Sequence, residues 1–459
     1  MRRRPVIYVH LAPEASSFNA SFALCRRLAK IGYEMIYIGP PEWRDFVLKN
    51  AFGYSTFEPY PSITENPKND EGFWVRWRRR RRRLKRERDT CSHALRALEA
   101  ELRDARPVLF LINPLIMEWS LPPLRCNIPV ITLNTTLAST FSLDLPPVFE
   151  NLAPSDAVGW RERWRNAVAW GRCLGSAWGY AFFWNKIVPL AHGLAPHRSP
   201  IRSVRALGHK VRLGEYGPCL DALEFVLSPR ELDFPQSADA RKRVYVGACV
   251  DLAREQLAFD WSDLSDDKAL IYCSLGTYSA AYPHARRLFA AVLEAVERRE
   301  NLQAVIQLGD AAQAVEFGRI SPRIRLVHEA PQLEVLRRSA FFITHGGFSS
   351  VREAMLFGVP VAVFPCWLDQ AGNAARIRLK NLGVDGDIAC VTSATIAEML
   401  EELRSERIQS AVRRMRDAFE NQIDCDNGIE CIQSLLENHR GAESGPLSLP
   451  RPRRGDKRH

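Results

Sequence analysis

The stretch from Thr344 to Ile377, THGGFSSVREAMLFGVPVAVFPCWLDQAGNAARI, constrains the fold of this chain more than any other. An apolar run, AFFI, ends at His345-Gly346-Gly347; small polar residues follow, and Val351 to Phe357 carries a helical pattern. The order is strand, glycine turn, helix start, as in a parallel α/β sheet. Two adjacent glycines let a backbone come close to a ligand. Ser349 and Ser350 sit where the first free N–H groups of the helix point outward, so the expected guest is an anion, and a diphosphate meets that description. Glu353, on the first helical turns, offers the two acceptor oxygens that ribose hydroxyls need. Beyond the next expected strand, Val359 to Phe364, Asp369-Gln370 sets a carboxylate beside an amide, a pair suited to sugar hydroxyls.

These residues resemble the nucleotide-sugar signature of the UDP-glycosyltransferase family, inverting enzymes of the GT-B fold, and in particular its bacterial antibiotic and macrolide-type members. The family pattern is a His-x-Gly turn, a Ser pair, a Glu eight residues after the His, and Asp/Glu-Gln sixteen residues further on; each spacing is met here, ending in Asn373-Ala374. The resemblance implies an α/β chain with two doubly wound, Rossmann-like parallel-sheet domains facing a cleft. It also implies donor contacts at the SLGT loop (Ser274, Gly276, Thr277) after the strand ALIYC, and at His345, Gly346, Gly347, Ser349, Ser350, Glu353, Asp369 and Gln370. A Pro-Gln pair reads the base in the family. Here Pro331-Gln332 follows Ala330, Glu329 and His328, so the stacking aromatic is missing, base reading falls to backbone near Ala330 and to Gln332, and a thymidine-linked donor stays open.

Taken in order, Pro5 to Leu11, Tyr33 to Ile38, Tyr54 to Phe57, Val108 to Ile112, Val130 to Leu133 and Glu224 to Leu227 read as strands, with a helix expected over Asn19 to Lys30 and Gly32 ending it. Residues 229–243 have two prolines, many charges and little periodicity, and read as a linker. A second alternation is expected from Val244 to Val250 onward, through Ala269 to Ser274, Ala304 to Leu308, Arg325 to His328, Ala340 to Thr344 and Val359 to Pro365. The expected organisation is an acceptor-binding domain over 1–228, a nucleotide-sugar domain over 244–425, a helix over 426–439 returning to the first domain as in the family, and a disordered basic tail over 440–459.

Family members carry a His that deprotonates the acceptor, in a Gly-His-x-Asn-Pro stretch, and an Asp after the fourth strand that orients it. Counting back from Gly32 places Ser17 at the His, and VLFLINP places Asn113 at the Asp. Neither can act as a base near neutral pH, and three readings follow: Glu14, His10 or Glu118 has taken over; the acceptor ionises by itself; or the chain binds nucleotide sugar without transferring it.

The chain of 459 residues is 25% charged with a net charge of +10 and eleven cysteines, odd in number and without a CxxC pair. No disulfide framework, zinc site or cofactor is indicated, and a reducing cytoplasm is the expected compartment. The charge is local: residues 76–88, RWRRRRRRLKRER, hold ten basic residues, and the tail five more. With Trp74 and Trp77 the segment 74–88 suits the inner, anionic face of a membrane, whereas nothing else resembles a nucleic-acid motif. A tryptophan-rich stretch from Trp160 to Trp184, with Arg161, Arg163 and Arg165, lies where the family builds its acceptor pocket and fits a small or lipid-like acceptor with an acidic group. The expected activity is metal-independent transfer of glucose from UDP-glucose; the alternatives are a non-catalytic nucleotide-sugar-binding partner of a transferase and a peripheral-membrane lipid glycosyltransferase.

Overall fold

The computed structural model describes residues 4–56, 73–137, 140–154, 159–182, 200–235, 242–276, 279–309, 317, 320–421 and 423–441, with backbone alone at 177–182 and along most of 73–88. Thr277, Trp184, the arginine side chains at 78–81 and 83, and the expected tail beyond Gly441 lie outside the described residues.

Two parallel sheets make up the chain. In the first, β1 (Val6–His10), β2 (Glu34–Gly39), β3 (Gly53–Thr56), β4 (Leu109–Ile112) and β5 (Val130–Asn134) are joined by β8 (Leu223–Val226) and β9 (Arg243–Tyr245), in the order β3-β2-β1-β4-β5-β8-β9. In the second, β10 (Ala269–Ser274), β11 (Leu302–Gln307), β12 (Ile324–Val327), β13 (Ser339–Thr344), β14 (Val361–Val363) and β15 (Gly383–Asp385) run in the order β12-β11-β10-β13-β14-β15. Both orders reverse direction beside the first strand of their sheet, which opens a crevice at the strands' carboxyl ends. Among the described strands only β6 (Val211–Gly214) and β7 (Gly217–Leu220) stand apart, as an antiparallel hairpin.

The central strands are legible in sequence because helices cover both faces of a parallel sheet, so each strand reads as an unbroken apolar run. In β10, Leu270 to Cys273 are all buried; in β13, Phe341 to Ile343 are, with Tyr272 stacked on Phe342 at 5.0 Å. Gly383 sits where the Val361 backbone of the neighbouring strand leaves no room for a Cβ, as a tight edge pairing requires.

One expectation is corrected. The strand placed at the start of the second alternation, 244–250, is shorter and belongs to the first sheet, where β9 pairs in parallel with β8. Within the expected linker, Leu232, Asp233 and Phe234 are buried rather than free, and residues 236–241 lie outside the described residues. An apolar run announces a strand, but not which neighbour its N–H groups will find.

Ile423–Gly441, the last helix, lays Cys425, Ile432 and Leu436 into the core of the first sheet with Phe18, Phe22 and Leu111. Arg27 pairs with Asp426 at 3.1 Å on that contact. The basic segment lies on a 33-residue helix, Phe73–Ala105, whose later turns bury Ala94, Leu98 and Leu102 against the sheet at i, i+4 and i+8, while Arg82 and Lys85 are exposed. Among the described residues no helix is long and apolar enough to cross a membrane.

Candidate functional site

The glycine turn after β13 is built around one imidazole. His345 is buried, and a Cβ on Gly276 would come within 2.8 Å of its Cε1, while one on Gly347 would collide with its Nε2. Gly276 and Gly346 also have φ of +75° and +84°, where L side chains are strained. Both loops therefore need glycine because backbone closes on the ring from two sides. Thr344 Oγ1 lies 3.4 Å from Nδ1 and accepts from Gly346 N at 3.3 Å; Ser274 Oγ accepts from Gly276 N at 3.2 Å. Burial pushes His345 down to about 4, so near neutral pH it presents N–H character and no charge.

The cation comes from a residue the sequence reading missed. Arg352, one turn into the Phe348–Leu356 helix, is buried, stacks its guanidinium 5.1 Å over the Phe348 ring, and donates to Leu227 O at 2.7 Å and to Ser349 Oγ at 3.5 Å. It puts positive charge beneath the helix N-terminus and ties the turn to the end of β8. Its outward neighbours Ser349 and Ser350 are half-buried. An arginine amid apolar helix positions, VREAML, is its only sequence signal.

Glu353 is buried, its carboxylate held by Arg254 and by Gln332 Nε2 at 2.6 Å. Gln332 also receives Tyr272 OH at 3.3 Å and lies 3.4 Å from Ser350 Oγ, and Ala330 beside it is buried. Asp369 is buried too. Asn373 Nδ2 donates both to its Oδ2 at 3.0 Å and to Gly346 O at 2.9 Å, so the carboxylate is hung from the glycine turn itself. Burial raises Asp369 from 3.8 to about 6, with the Asn373 hydrogen bond pulling the other way. Asn373 Oδ1 is buried with no partner.

Gln370 is partly engaged within its own loop. Its Oε1 accepts from the N–H groups of Cys366 and Trp367, both at 2.8 Å, and its Nε2 donates to Tyr282 OH at 3.1 Å. Its oxygen is spent closing its own loop, which leaves one amide N–H for a ligand.

On the facing wall, the first helix starts at Ala15 rather than Asn19, so the stretch expected as a loop is its first turn. Ser17 is buried there. Asn113 caps the next short helix by accepting from Leu115 N at 2.8 Å and donates to Thr135 Oγ1 at 3.4 Å. Of the candidate bases, His10 is corrected: it is fully buried, its two ring nitrogens have no partner, it meets Trp119 edge-on at 4.6 Å, and burial pushes it down to about 3. Glu118 is raised by burial and neighbours Cys91 of the long helix. Glu14 is different. It is exposed at the helix N-cap, its charge reaches Asp369 and Tyr216, and Ser16 O two residues on receives Ser349 Oγ from beside the glycine turn at 3.4 Å. Ser17→Ala is expected to leave turnover within about twofold of wild type, since general-base losses of 100-fold or more need a group that moves a proton; steady-state rates check this.

The hairpin β6–β7, unforeseen in sequence, completes the wall. Its turn residue Glu215 accepts from Val148 N at 2.7 Å, and Val148 O accepts from Gly372 N at 2.8 Å in the helix carrying Asp369. Tyr216 at the tip meets Phe149 edge-on at 4.7 Å. The tryptophan-rich helix divides: Trp170 is buried and donates to Leu145 O at 2.8 Å, but Trp160 and Trp164 are 75% and 69% exposed, in line with Val168. The three arginines expected for an acidic acceptor are already engaged. Arg161 lies over Trp160, Arg163 pairs with Asp144, and Arg165 with Glu162.

Residues 232–415 match the family described as UDP-glucoronosyl and UDP-glucosyl transferase. The chain is 28% identical over 194 residues to an uncharacterized UDP-glucosyltransferase YdhE of Bacillus subtilis, covering 42% of this chain and 48% of that one. It is 25% identical over 320 residues to demethyllactenocin mycarosyltransferase of Streptomyces fradiae, covering 66% and 65%. The chain thus spans less than two thirds of either relative. Its structure resembles that of the kitacinnamycin glycotransferase, with a TM-score of 0.66, 19% identity, and 95% and 99% of the two chains covered. The fold is the two-sheet GT-B arrangement.

Proposed function

We propose, on the premise that residues 232–415 are a UDP-glucoronosyl and UDP-glucosyl transferase domain, that this protein is an inverting glycosyltransferase. It moves a sugar, glucose by the family resemblance, from a uridine or thymidine diphosphate onto a small or lipid-like acceptor. The observation that carries the reading is the contact among three parts. These are the His345 turn with Arg352 beneath it, Asp369 suspended from that turn through Asn373, and the Glu14–Ser16 segment touching Ser349 from the opposite side.

The chemistry asks for an acceptor oxygen behind the anomeric carbon, a base if that oxygen is a hydroxyl, and compensation of charge on the departing diphosphate. The N-terminal N–H groups of the Phe348–Leu356 helix, the His345 N–H and the Arg352 cation supply the last. Asp369 accepts from sugar hydroxyls, Glu353 from the pentose, and Glu14 takes the acceptor's proton as its oxygen bonds to the anomeric carbon. Among the described residues no cluster of three metal-binding side chains stands near them.

A thermal-shift series tests the donor side. UDP-glucose or TDP-glucose at about a hundred times its Kd is expected to add about 2.7 kcal/mol of stability, and Glu353→Ala to remove most of that gain. Failure of every UDP- and TDP-sugar to shift the melting point would remove the donor assignment. A binding protein without catalysis would show the shift but no new glycoside with any acceptor in a host extract.

The exposed line Trp160, Trp164 and Val168 favours a second reading, in which the protein works on a lipid acceptor at an anionic bilayer. Replacing Arg78 to Arg83 with Ser is then expected to abolish co-sedimentation with phosphatidylserine vesicles. A wild-type protein that stays in the supernatant ends this reading.

A further inference from the structure

Glu353, the side chain proposed to meet the pentose, does not stand free. Arg254 Nη1 donates to its Oε1 at 2.7 Å and Arg254 Nη2 to its Oε2 at 3.1 Å, a bidentate pair, and Gln332 Nε2 donates to the same Oε2 at 2.6 Å. Both charged side chains are nearly buried, at 12% and 5% exposure. Arg254 lies in the segment between β9 and β10 that crosses from one sheet to the other, and that segment is fastened on either side of it. Asp251 pairs with Arg26 of the first helix at 3.0 Å and receives Ala253 N, and Gln256 Oε1 accepts from Leu333 N at 3.3 Å. The arginine is thus held over Glu353 by its own backbone.

An ionised carboxylate has about four acceptor positions. Arg254 and Gln332 fill three, and the fourth is on Oε1. A ribose brings two adjacent hydroxyls to such a group, whereas a 2′-deoxyribose brings one. A ribose hydroxyl that enters this dry corner and finds no acceptor loses its water without replacement.

We propose that Arg254 is a specificity-determining residue: by occupying Glu353 it makes the site select a 2′-deoxynucleoside diphosphate sugar over its ribo counterpart. The proposal rests on the reading of Glu353 as the pentose acceptor, and it concerns the sugar ring of the nucleoside rather than the base.

The test is calorimetric titration of the full chain with UDP, 2′-deoxy-UDP and TDP. UDP and 2′-deoxy-UDP differ by one oxygen, and TDP adds the base methyl. The expected result is that 2′-deoxy-UDP and TDP both bind at least tenfold more tightly than UDP. UDP binding as tightly as 2′-deoxy-UDP, or more so, overturns the proposal, as does tight TDP with weak 2′-deoxy-UDP, which would assign the choice to the methyl group. Binding of none of the three brings down the donor-site reading itself, a separate outcome. In Arg254→Ala the ratio of 2′-deoxy-UDP to UDP affinity is expected to fall below threefold. A ratio unchanged from wild type would overturn the role of Arg254, and because it compares two ligands on one protein, a general loss of stability does not imitate it.

Discussion

Glu14→Gln lowers turnover by about two to four orders of magnitude, the usual share of a general base, while donor affinity stays within about threefold of wild type. The expectation comes from position. Glu14 is exposed at the N-cap of the first helix, its charge reaches Asp369, and the residue two places on contacts Ser349 beside the glycine turn. The rival carboxylate, Glu118, lies by the long helix, and His10 is held neutral in a sealed corner. Parallel measurement of kcat and of donor Kd by titration separates the outcomes. An unchanged kcat means that the acceptor ionises unaided, and a fall in donor binding of the same size as the fall in rate means that Glu14 holds the donor instead.

Asp369→Asn is expected to make the protein more stable and less active. Folding raises this carboxyl from 3.8 to about 6 because its ionised form is buried with one amide donor on it. The folded state therefore holds the proton more tightly than the unfolded one, and stability declines as pH rises from about 4 to 6. Once both states are ionised the deficit is complete, up to about 3 kcal/mol for a rise of that size. The asparagine variant has no such deficit. Its advantage in melting temperature should be near zero at pH 4 and full above pH 7, and a variant less stable than wild type at pH 7.5 would contradict the argument. Its transfer rate should fall about 10- to 100-fold, the value of a hydrogen bond to a charged acceptor. Wild-type kcat/KM should likewise decline below pH 6, as Asp369 takes up its proton.

Much of this site was open to reading in the residue order. The run from His345 to Asn373 announces its turn, helix and acids because glycine and serine answer strict local demands there: backbone against a ring at Gly347, free N–H groups beside Ser349. The two-sheet plan was likewise legible, since β10 and β13 are unbroken apolar runs. In two places what the residue order could not show was a partner. Gln370 looks like a free amide until its oxygen is seen closing the Cys366–Trp367 turn, and Glu353 looks like a free acceptor until Arg254, ninety-nine residues away, is placed on it.

The chain's own order determined the alternation of strands and helices and the glycine turn before the Phe348–Leu356 helix, both matters of short-range backbone geometry and residue type. Only the folded molecule decided that β9 would join the edge of the first sheet, that the β6–β7 hairpin would bring Tyr216 near Asp369, and that Glu14 would lie exposed near Asp369 while His10 is buried. The physical reason is that a hydrogen bond or an ion pair between distant segments depends on three-dimensional distance and burial, and neither is encoded in any one stretch. Packing of the two sheets sets both at once.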